Sequence, residues 1–266
     1  MINWTLIKKE IKANYKLFLI FIGVLSMYAG MIVAMFDPKL GESLNLMAKS
    51  MPQLFSAFGM MNQGGTLLEF MANYLYNFLF IAFPGVYLIL LANRLIAHYV
   101  DQGSMSYILA TPNTRKKIAL TQMKFMTGSL FMLVLTIGVI SWGFSEFMFP
   151  GELDLPKFIL INVALYGLLL FLGGICFCAS CIFNDKKLSY GFGGGLVVAF
   201  ILLQMISQVG DKFEFLKYVT PLTLFDTHGL IDGDVNAIWM FLSLYISGMA
   251  FYFLGMYIFT KKDLPI

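Results

Sequence analysis

Six long stretches of this 266-residue chain carry no charged side chain. Each contains between 20 and 27 residues. An α-helix rises about 1.5 Å per residue, so about 20 residues cross the roughly 30 Å hydrocarbon core of a bilayer. Every stretch is therefore long enough to form one transmembrane helix. The predicted spans are residues 17–36, 72–95, 125–146, 158–183, 188–209 and 236–259.

The composition agrees with a chain that lies in lipid. Hydrophobic residues make up 59% and charged residues 12%, with a mean hydropathy of +0.79, whereas about a quarter of the residues of a soluble domain are charged. A transmembrane β-barrel would alternate apolar and polar residues along strands of about ten residues, and these stretches are continuously apolar. We therefore predict an all-α polytopic membrane protein with six transmembrane helices in one transmembrane domain, residues 1–266.

The first apolar stretch is predicted to be a retained span. It is too long for the core of a signal peptide, and it ends at Phe36-Asp37-Pro38 without a small-residue cleavage pattern.

The distribution of Lys and Arg predicts the orientation of the chain. Six spans place both termini on the same side of the membrane. If that side is the cytoplasm, 13 of the 18 Lys and Arg residues lie inside, in agreement with the positive-inside rule. We therefore expect both termini and the loop of residues 100–117 to be cytoplasmic.

Two segments outside the spans have an amphipathic helical pattern. Near the N-terminus, apolar residues from Trp4 to Tyr15 are interspersed with lysines from Lys8 to Lys16. This pattern predicts a helix at the inner membrane interface, with either a topology-anchoring or a regulatory role. On the outer side, residues 44–58 repeat Leu, Met and Phe at helical spacing. That segment is expected to pack against the spans or to cap an outer vestibule.

Polar side chains also occur inside two predicted spans. Such groups at bilayer depth usually face another helix or a water-filled cavity. Two interpretations follow, namely hydrogen bonding between helices and the lining of a transport path. The residues concerned are Asn73 and Asn77 in the second span, and Gln204, Ser207 and Gln208 in the fifth.

No sequence pattern indicates catalysis or metal binding. The motifs G-x-x-x-x-G-K-[ST], H-E-x-x-H and G-x-S-x-G do not occur, and His98 and His228 do not have ligand spacing. Three cysteines lie in the fourth span, where small apolar filler is the favoured interpretation over a metal or redox cluster; they are Cys176, Cys178 and Cys181. We predict no catalytic residue, no metal, no directly bound cofactor and no nucleic-acid partner. Energy for transport would then come from a partner or an ion gradient.

The sequence VDQGSMSYILATPNTRKK, residues 100–117, separates the second and third spans. Gly103 predicts the end of the second span, and a short helix should follow. Pro112 ends that helix, because the residue before a proline disfavours helical backbone. The segment would project from the membrane and present three apolar residues that need a partner surface, Tyr107, Ile108 and Leu109.

This segment resembles an element of the ABC-2-type exporter permeases. That element lies between the second and third spans and has the form acidic-x-Gly-Thr/Ser, Leu-Leu-x-x-Pro-x-x-Arg. Asp101 stands where many members carry Glu, often further upstream. The six spans, the cytoplasmic termini, the amphipathic N-terminal helix and the ending Lys-Lys-Asp-Leu-Pro-Ile also resemble this family. The matching positions are Asp101, Gly103, Ser104, Ile108, Leu109, Pro112 and Arg115.

The resemblance implies how the chain would work with partners. In the family, this element is a coupling helix that docks in a groove of a separate ATP-hydrolysing subunit. The chain itself would therefore not be an enzyme, and ATP and Mg²⁺ would bind to the partner ATPase. Two permease copies, expected as a homodimer, would form the pathway at their interface in the lipids of a bacterial plasma membrane. The implied coupling residues are Asp101, Gly103, Tyr107, Ile108, Leu109, Pro112 and Arg115.

The compact layout, without a large external domain, most resembles the permeases of bacterial antimicrobial-peptide immunity and phenol-soluble modulin export. This implies outward movement of an amphipathic or hydrophobic substrate, with a peptide toxin or antimicrobial peptide as the leading expectation. One alternative is a secondary transporter, which the absence of ionisable residues in the apolar stretches disfavours. Another is a membrane scaffold without transport function, which would leave residues 100–117 unexplained.

Overall fold

The computed structural model describes residues 3–36, 46–60, 65–109, 113–209 and 211–263, without the side chains of residues 109, 211 and 212. Within these ranges, six helices are long and apolar enough to cross a membrane. The prediction of an all-helical protein with six spans is confirmed, and each helix overlaps one predicted span. They are α1 (Trp4–Ala34), α2 (Leu67–Asp101), α3 (Arg115–Met148), α4 (Leu155–Ile182), α5 (Lys186–Ser207) and α6 (Val235–Lys261).

Contacts between helix ends define two faces of the protein. Asn3, just before α1, donates its backbone N–H to Oγ1 of Thr121 in the first turns of α3 at 3.1 Å. Arg115, at the start of α3, donates from Nη1 to the carbonyl of Lys262, just after α6, at 2.6 Å. The beginning of α1 and the end of α6 therefore lie on the same side. We call this side the terminal face and the opposite side the distal face.

Polar side chains define the starts of three long helices. Thr114, Asp154 and Asp234 precede α3, α4 and α6, and each accepts a hydrogen bond from a backbone N–H of the first turn. Such caps satisfy N–H groups that have no partner within the helix. Shorter α and 3₁₀ helices occupy the connections; they are Pro52–Ala57, Met105–Leu109, Asp211–Tyr218, Pro221–Leu224 and Thr227–Asp232.

Helix α4 is the centre of the packing. In its most apolar 18-residue stretch 67% of the residues are buried, against 22% in α1 and in α5. It contacts α2, α3, α5 and α6, and its contact with α6 is the most extensive. There the backbones approach closely, because a Cβ at Gly174 would lie only 2.7 Å from the carbonyl oxygen of Gly248. Small residues at such crossings are typical of packed membrane helices.

The three cysteines lie inside this packing. Cys176, Cys178 and Cys181 are buried free thiols in α4, which fits the interpretation as apolar filler. The described residues contain no group of three or more His, Cys, Asp or Glu side chains placed to hold a metal ion.

Helix α1 corrects one expectation about the N-terminus. It runs without interruption from Trp4 to Ala34, so the predicted interface helix is the first part of α1 and not a separate element. No Gly, Pro or capping residue separates Lys16 from the apolar stretch that follows. The buried stripe of this first part includes the polar residues Glu10 and Asn14, whereas Trp4 is exposed.

Three π turns interrupt the regular hydrogen bonding of α2 and α5. Two lie in α2, at Ala72–Tyr76 toward the distal face and at Asn93–Ala97 toward the terminal face, and the third is Tyr190–Gly194 in α5. Single π turns inside α-helices occur frequently at functional sites. Each of these three turns lies beside one of the two polar cavities described below.

Candidate functional site

The predicted coupling segment leaves α2 at the terminal face. Helix α2 ends at the exposed Asp101, and Gly103 has a φ of +67°, a left-handed conformation that favours glycine. The short helix Met105–Leu109 follows. Pro112 and the side chain of Leu109 lie outside the described part of the chain.

The predicted docking residues do not all point in the same direction. Met105 is buried, and Ile108 packs against the hydrophobic core. These two residues are three positions apart, so they share one face of the helix. Tyr107 lies on another face and is 80% exposed. The short helix is thus anchored by Met105 and Ile108, and it presents Tyr107 outward.

Arg115 and Lys262 form a cluster that joins three helices, which we call the C-terminal clamp. Arg115 of α3 donates to the Lys262 carbonyl. The Lys262 ammonium donates to the carbonyls of Cys181 and Ile182 at the end of α4, at 3.3 and 2.5 Å. A cation at this position complements the negative end of the α4 dipole. Partial burial lowers the pKa of the Lys262 ammonium below its ordinary value.

At the distal face, a cavity of about 300 Å³ brings the two predicted polar stripes together. Asn77 directly follows the first π turn of α2, Gln204 lies in the last turn of α5, and Gln208 directly follows α5. The connection between α5 and α6 supplies the other polar residues of the lining. Its polar lining consists of Asn77, Gln204, Gln208, Thr223, Asp226, Thr227 and His228.

Hydrogen bonds connect the stripes to the α5–α6 connection. Nε2 of His228 lies 2.9 Å from Oδ1 of Asn73. Thr227 donates to Oδ1 of Asn77 at 3.1 Å. The stripes therefore bond to other elements and also border a cavity, so the two interpretations of these residues are compatible.

Two of the three stripe residues from the fifth span, Gln204 and Ser207, differ in their surroundings. Gln204 accepts from the hydroxyl of Thr223 at 3.2 Å. Ser207 is buried, donates to the carbonyl of Gln204 in its own helix at 2.7 Å, and does not line the cavity.

The amphipathic segment after α1 contacts α2 and the end of α5. Its described part packs on α2 through Phe58, whose ring lies 4.7 Å from that of Phe78 in an edge-on contact. The hydroxyl of Ser56 donates to the carbonyl of Gln208 on α5. Met47, Met51 and Leu54 remain exposed, and Leu44 and Asn45 lie outside the described residues.

Several residues of these sites were not indicated by the sequence pattern. His228 and Thr227 lie in the short helix Thr227–Asp232 of the α5–α6 connection, and no spacing relates them to the asparagines of α2. Glu10 is another, because its contacts are with residues 89 and 112 positions away, Tyr99 and Gln122. The sequence did place Glu10 and Asn14 four residues apart, on the same helical face as Leu6, and this spacing could have indicated that both side chains share the buried face of α1.

Six helices long and apolar enough to cross a membrane, with a short helix at one face, define a multi-pass membrane protein. A family model of the ABC-2 family transporter proteins matches residues 4–264, and the chain belongs to this family. No curated protein matches it significantly. The chain is thus a membrane permease subunit of an ABC transporter. Its family implies an ABC ATPase subunit as partner. Permeases of this family are generally not the catalytic ATPase.

Proposed function

We propose that this permease belongs to an exporter that moves an amphipathic or hydrophobic substrate outward, driven by a separate ATPase that binds ATP and Mg²⁺. The observation that carries the proposal is the helix Met105–Leu109, which is anchored to the terminal face and presents an aromatic side chain outside the fold. A bacterial plasma membrane is the proposed location.

The proposed orientation places the terminal face in the cytoplasm. In that orientation 13 of 18 Lys and Arg residues are cytoplasmic, which is the distribution that the positive-inside rule favours. The distal cavity then opens toward the exterior. The short helix lies on the side where ATP is available.

Docking of the ATPase is proposed to occur on Tyr107. An aromatic side chain that is 80% exposed on a helix held by Met105 and Ile108 offers a preorganised apolar contact. Burying such a side chain contributes about 1.5–3 kcal/mol. Asp101 is exposed next to this helix and is proposed to take part, with Gly103, Leu109 and Pro112 shaping the segment. Arg115 is proposed to act through the C-terminal clamp, since it bonds to Lys262.

The transport path is proposed to lie between two copies of the chain. Helices α1 and α5 are the least buried, with 22% of their most apolar stretch inside the fold. Helix α5 also carries Gln204 and Gln208 to the distal cavity. A homodimer that pairs these surfaces would place the polar cavity beside the interface.

A peptide is proposed as the substrate class. Met47, Met51 and Leu54 are exposed on the segment whose Ser56 bonds to Gln208, a residue that lines the distal cavity. Methionine side chains are flexible and adapt to varied apolar partners. The cavity adds amide and hydroxyl groups and the carboxylate of Asp226. An amphipathic helical peptide has one apolar and one polar side, so it could contact both kinds of group.

The first prediction concerns docking. Tyr107→Asp should raise the dissociation constant of the complex with the ATPase at least about tenfold. The substitution removes an aromatic contact that the complex would bury and places a charge in an apolar groove. The measurement is the dissociation constant between the purified permease in detergent and its ATPase. The matched control is Tyr218→Asp, which alters a tyrosine that is 82% exposed in the α5–α6 connection at the distal face. Equal affinities for the two variants would show that Tyr107 is not a docking residue.

The second prediction concerns the path. The double variant Gln204→Leu, Gln208→Leu should fold but protect cells less well against a panel of amphipathic peptide toxins, by about 2- to 10-fold, the range of one or two lost hydrogen bonds. Ser207→Ala should protect normally, since Ser207 does not line the cavity. Unchanged protection by the double variant would remove these residues from the path.

The third prediction concerns the dimer. Leu202 is 51% exposed on α5 and Ile159 is 54% exposed on α4. Oxidative cross-linking in membranes should give a covalent dimer for Leu202→Cys and none for Ile159→Cys. The native cysteines are buried and should not contribute. Cross-linking at Ile159 alone would place the interface on a different surface.

A further inference from the structure

A second polar cavity, of about 520 Å³, lies at the terminal face between the beginnings of α1 and α5 and the end of α2. Two of the three π turns contribute to it, Asn93–Ala97 of α2 and Tyr190–Gly194 of α5. The coupling segment reaches this cavity through Gln102, and the distal path does not share it. Its lining includes Glu10, Asn14, Asn93, Arg94, His98 and Lys186.

Glu10 is the unusual member of this lining. Its side chain is buried, with 1% of the residue exposed. The carboxylate accepts hydrogen bonds from Tyr99 Oη at 3.0 Å, from Gln122 Nε2 at 2.9 Å and from Asn14 Nδ2 at 3.3 Å. These donors are all neutral, and the ion pairs formed by the described residues do not include Glu10. Lys9 attracts this carboxylate only from beyond salt-bridge distance, and a buried carboxylate without a close cation is costly in the folded state.

Two asparagines add acceptor atoms that are not used within the described chain. The amide nitrogen of Asn14 donates to the carbonyl and the carboxylate of Glu10, and that of Asn93 donates to the Ile89 carbonyl at 3.2 Å. These bonds assign the orientation of both amides. The Oδ1 atoms of Asn14 and Asn93 are then buried without a hydrogen-bond partner among the described residues. Buried acceptors of this kind call for a donor.

The same cavity carries positive charge. Arg94 is exposed and Lys186 is half-buried in its lining. A suitable ligand therefore combines N–H donors and a positive charge for Glu10, Asn14 and Asn93 with a negative group for Arg94 and Lys186. A primary ammonium offers three N–H donors, one for each of the three acceptor side chains.

We propose that this cavity binds the phosphoethanolamine head group of a membrane phospholipid, with the ammonium on Glu10, Asn14 and Asn93 and the phosphate on Arg94 and Lys186. The cavity lies at the ends of membrane-crossing helices, where lipid head groups are found. Exposed apolar side chains follow it along both flanking helices, Leu19 and Ile20 on α1 and Leu188 and Phe192 on α5. They provide a surface for the acyl chains. This site does not depend on the proposed export function.

The test is a titration of the full-length permease in detergent with short-chain phospholipids, followed by native mass spectrometry. Dioctanoyl phosphatidylethanolamine should bind at least about tenfold more tightly than the phosphatidylcholine and phosphatidylglycerol of the same chain length. Phosphatidylcholine retains the charge but has no N–H donor, and phosphatidylglycerol has no ammonium. A tenfold ratio corresponds to one hydrogen bond to a charged group.

Substitutions then assign the contacts. Glu10→Gln keeps the shape and removes the charge, and it should abolish the preference for the ethanolamine head group. Arg94→Ala and Lys186→Ala should each weaken the binding of all three lipids to the same degree, because each lipid carries a phosphate. Glu152→Gln, at an exposed carboxylate in the α3–α4 connection at the distal face, should change nothing. If Glu10→Gln does not fold, Asn93→Leu removes one acceptor without removing a charge and should reduce the same preference.

Three results would overturn the proposal. Equal binding of the three lipids would exclude recognition of the ammonium. A preference for phosphatidylethanolamine that survives both Glu10→Gln and Asn93→Leu would place the lipid elsewhere. Binding of a lysine-bearing amphipathic peptide that is lost in Glu10→Gln, without any selectivity among the lipids, would make this cavity a peptide site. None of these results would bear on docking at Tyr107, so the two proposals fail separately.

Discussion

The close approach of α4 and α6 is the contact on which the other helix positions depend. Two glycines permit it, since a side chain at Gly174 or at Gly248 would collide with the facing backbone. In lipid, helices gain little from hiding apolar surface, so van der Waals contact between backbones has to hold them together. Helix α4 then serves as the surface on which α2, α3 and α5 pack.

This central pair also connects the membrane helices to the terminal face. Lys262 follows directly after α6, and its ammonium bonds to the last carbonyls of α4. Its own carbonyl accepts from Arg115, which lies at the start of α3 and within the last part of the coupling segment. A movement of the coupling segment can therefore reach α4 and α6 through two hydrogen-bonded residues. If the ATPase docks on the coupling segment as proposed, the C-terminal clamp would transmit its motion in addition to holding the helices.

The sequence predicted the parts of this structure that depend on local properties. Uncharged stretches long enough to cross the bilayer as helices indicated the six spans. The start of α3 at Arg115 follows from local capping by Thr114. Side-chain direction was not predictable in the same way. Ile108 packs against the core and Tyr107 points outward. The core surface that decides this is formed by residues outside the segment, so the sequence of the segment alone could not indicate it. The polar contacts of Glu10 with α2 and α3, and of Asn73 with His228, likewise join residues separated by 89 to 155 positions.

The sidedness of the terminal face is the central claim, because docking, ATP use and outward transport all depend on it. It can be tested with single cysteines at two exposed positions, Lys116→Cys at the terminal face and Asp232→Cys at the distal face. Background labelling should be low, since the three native cysteines are buried. A membrane-impermeant maleimide should label only Asp232→Cys in intact cells and both variants after permeabilisation. Labelling of Lys116→Cys in intact cells would contradict the proposed orientation and, with it, the docking of a cytoplasmic ATPase at Tyr107.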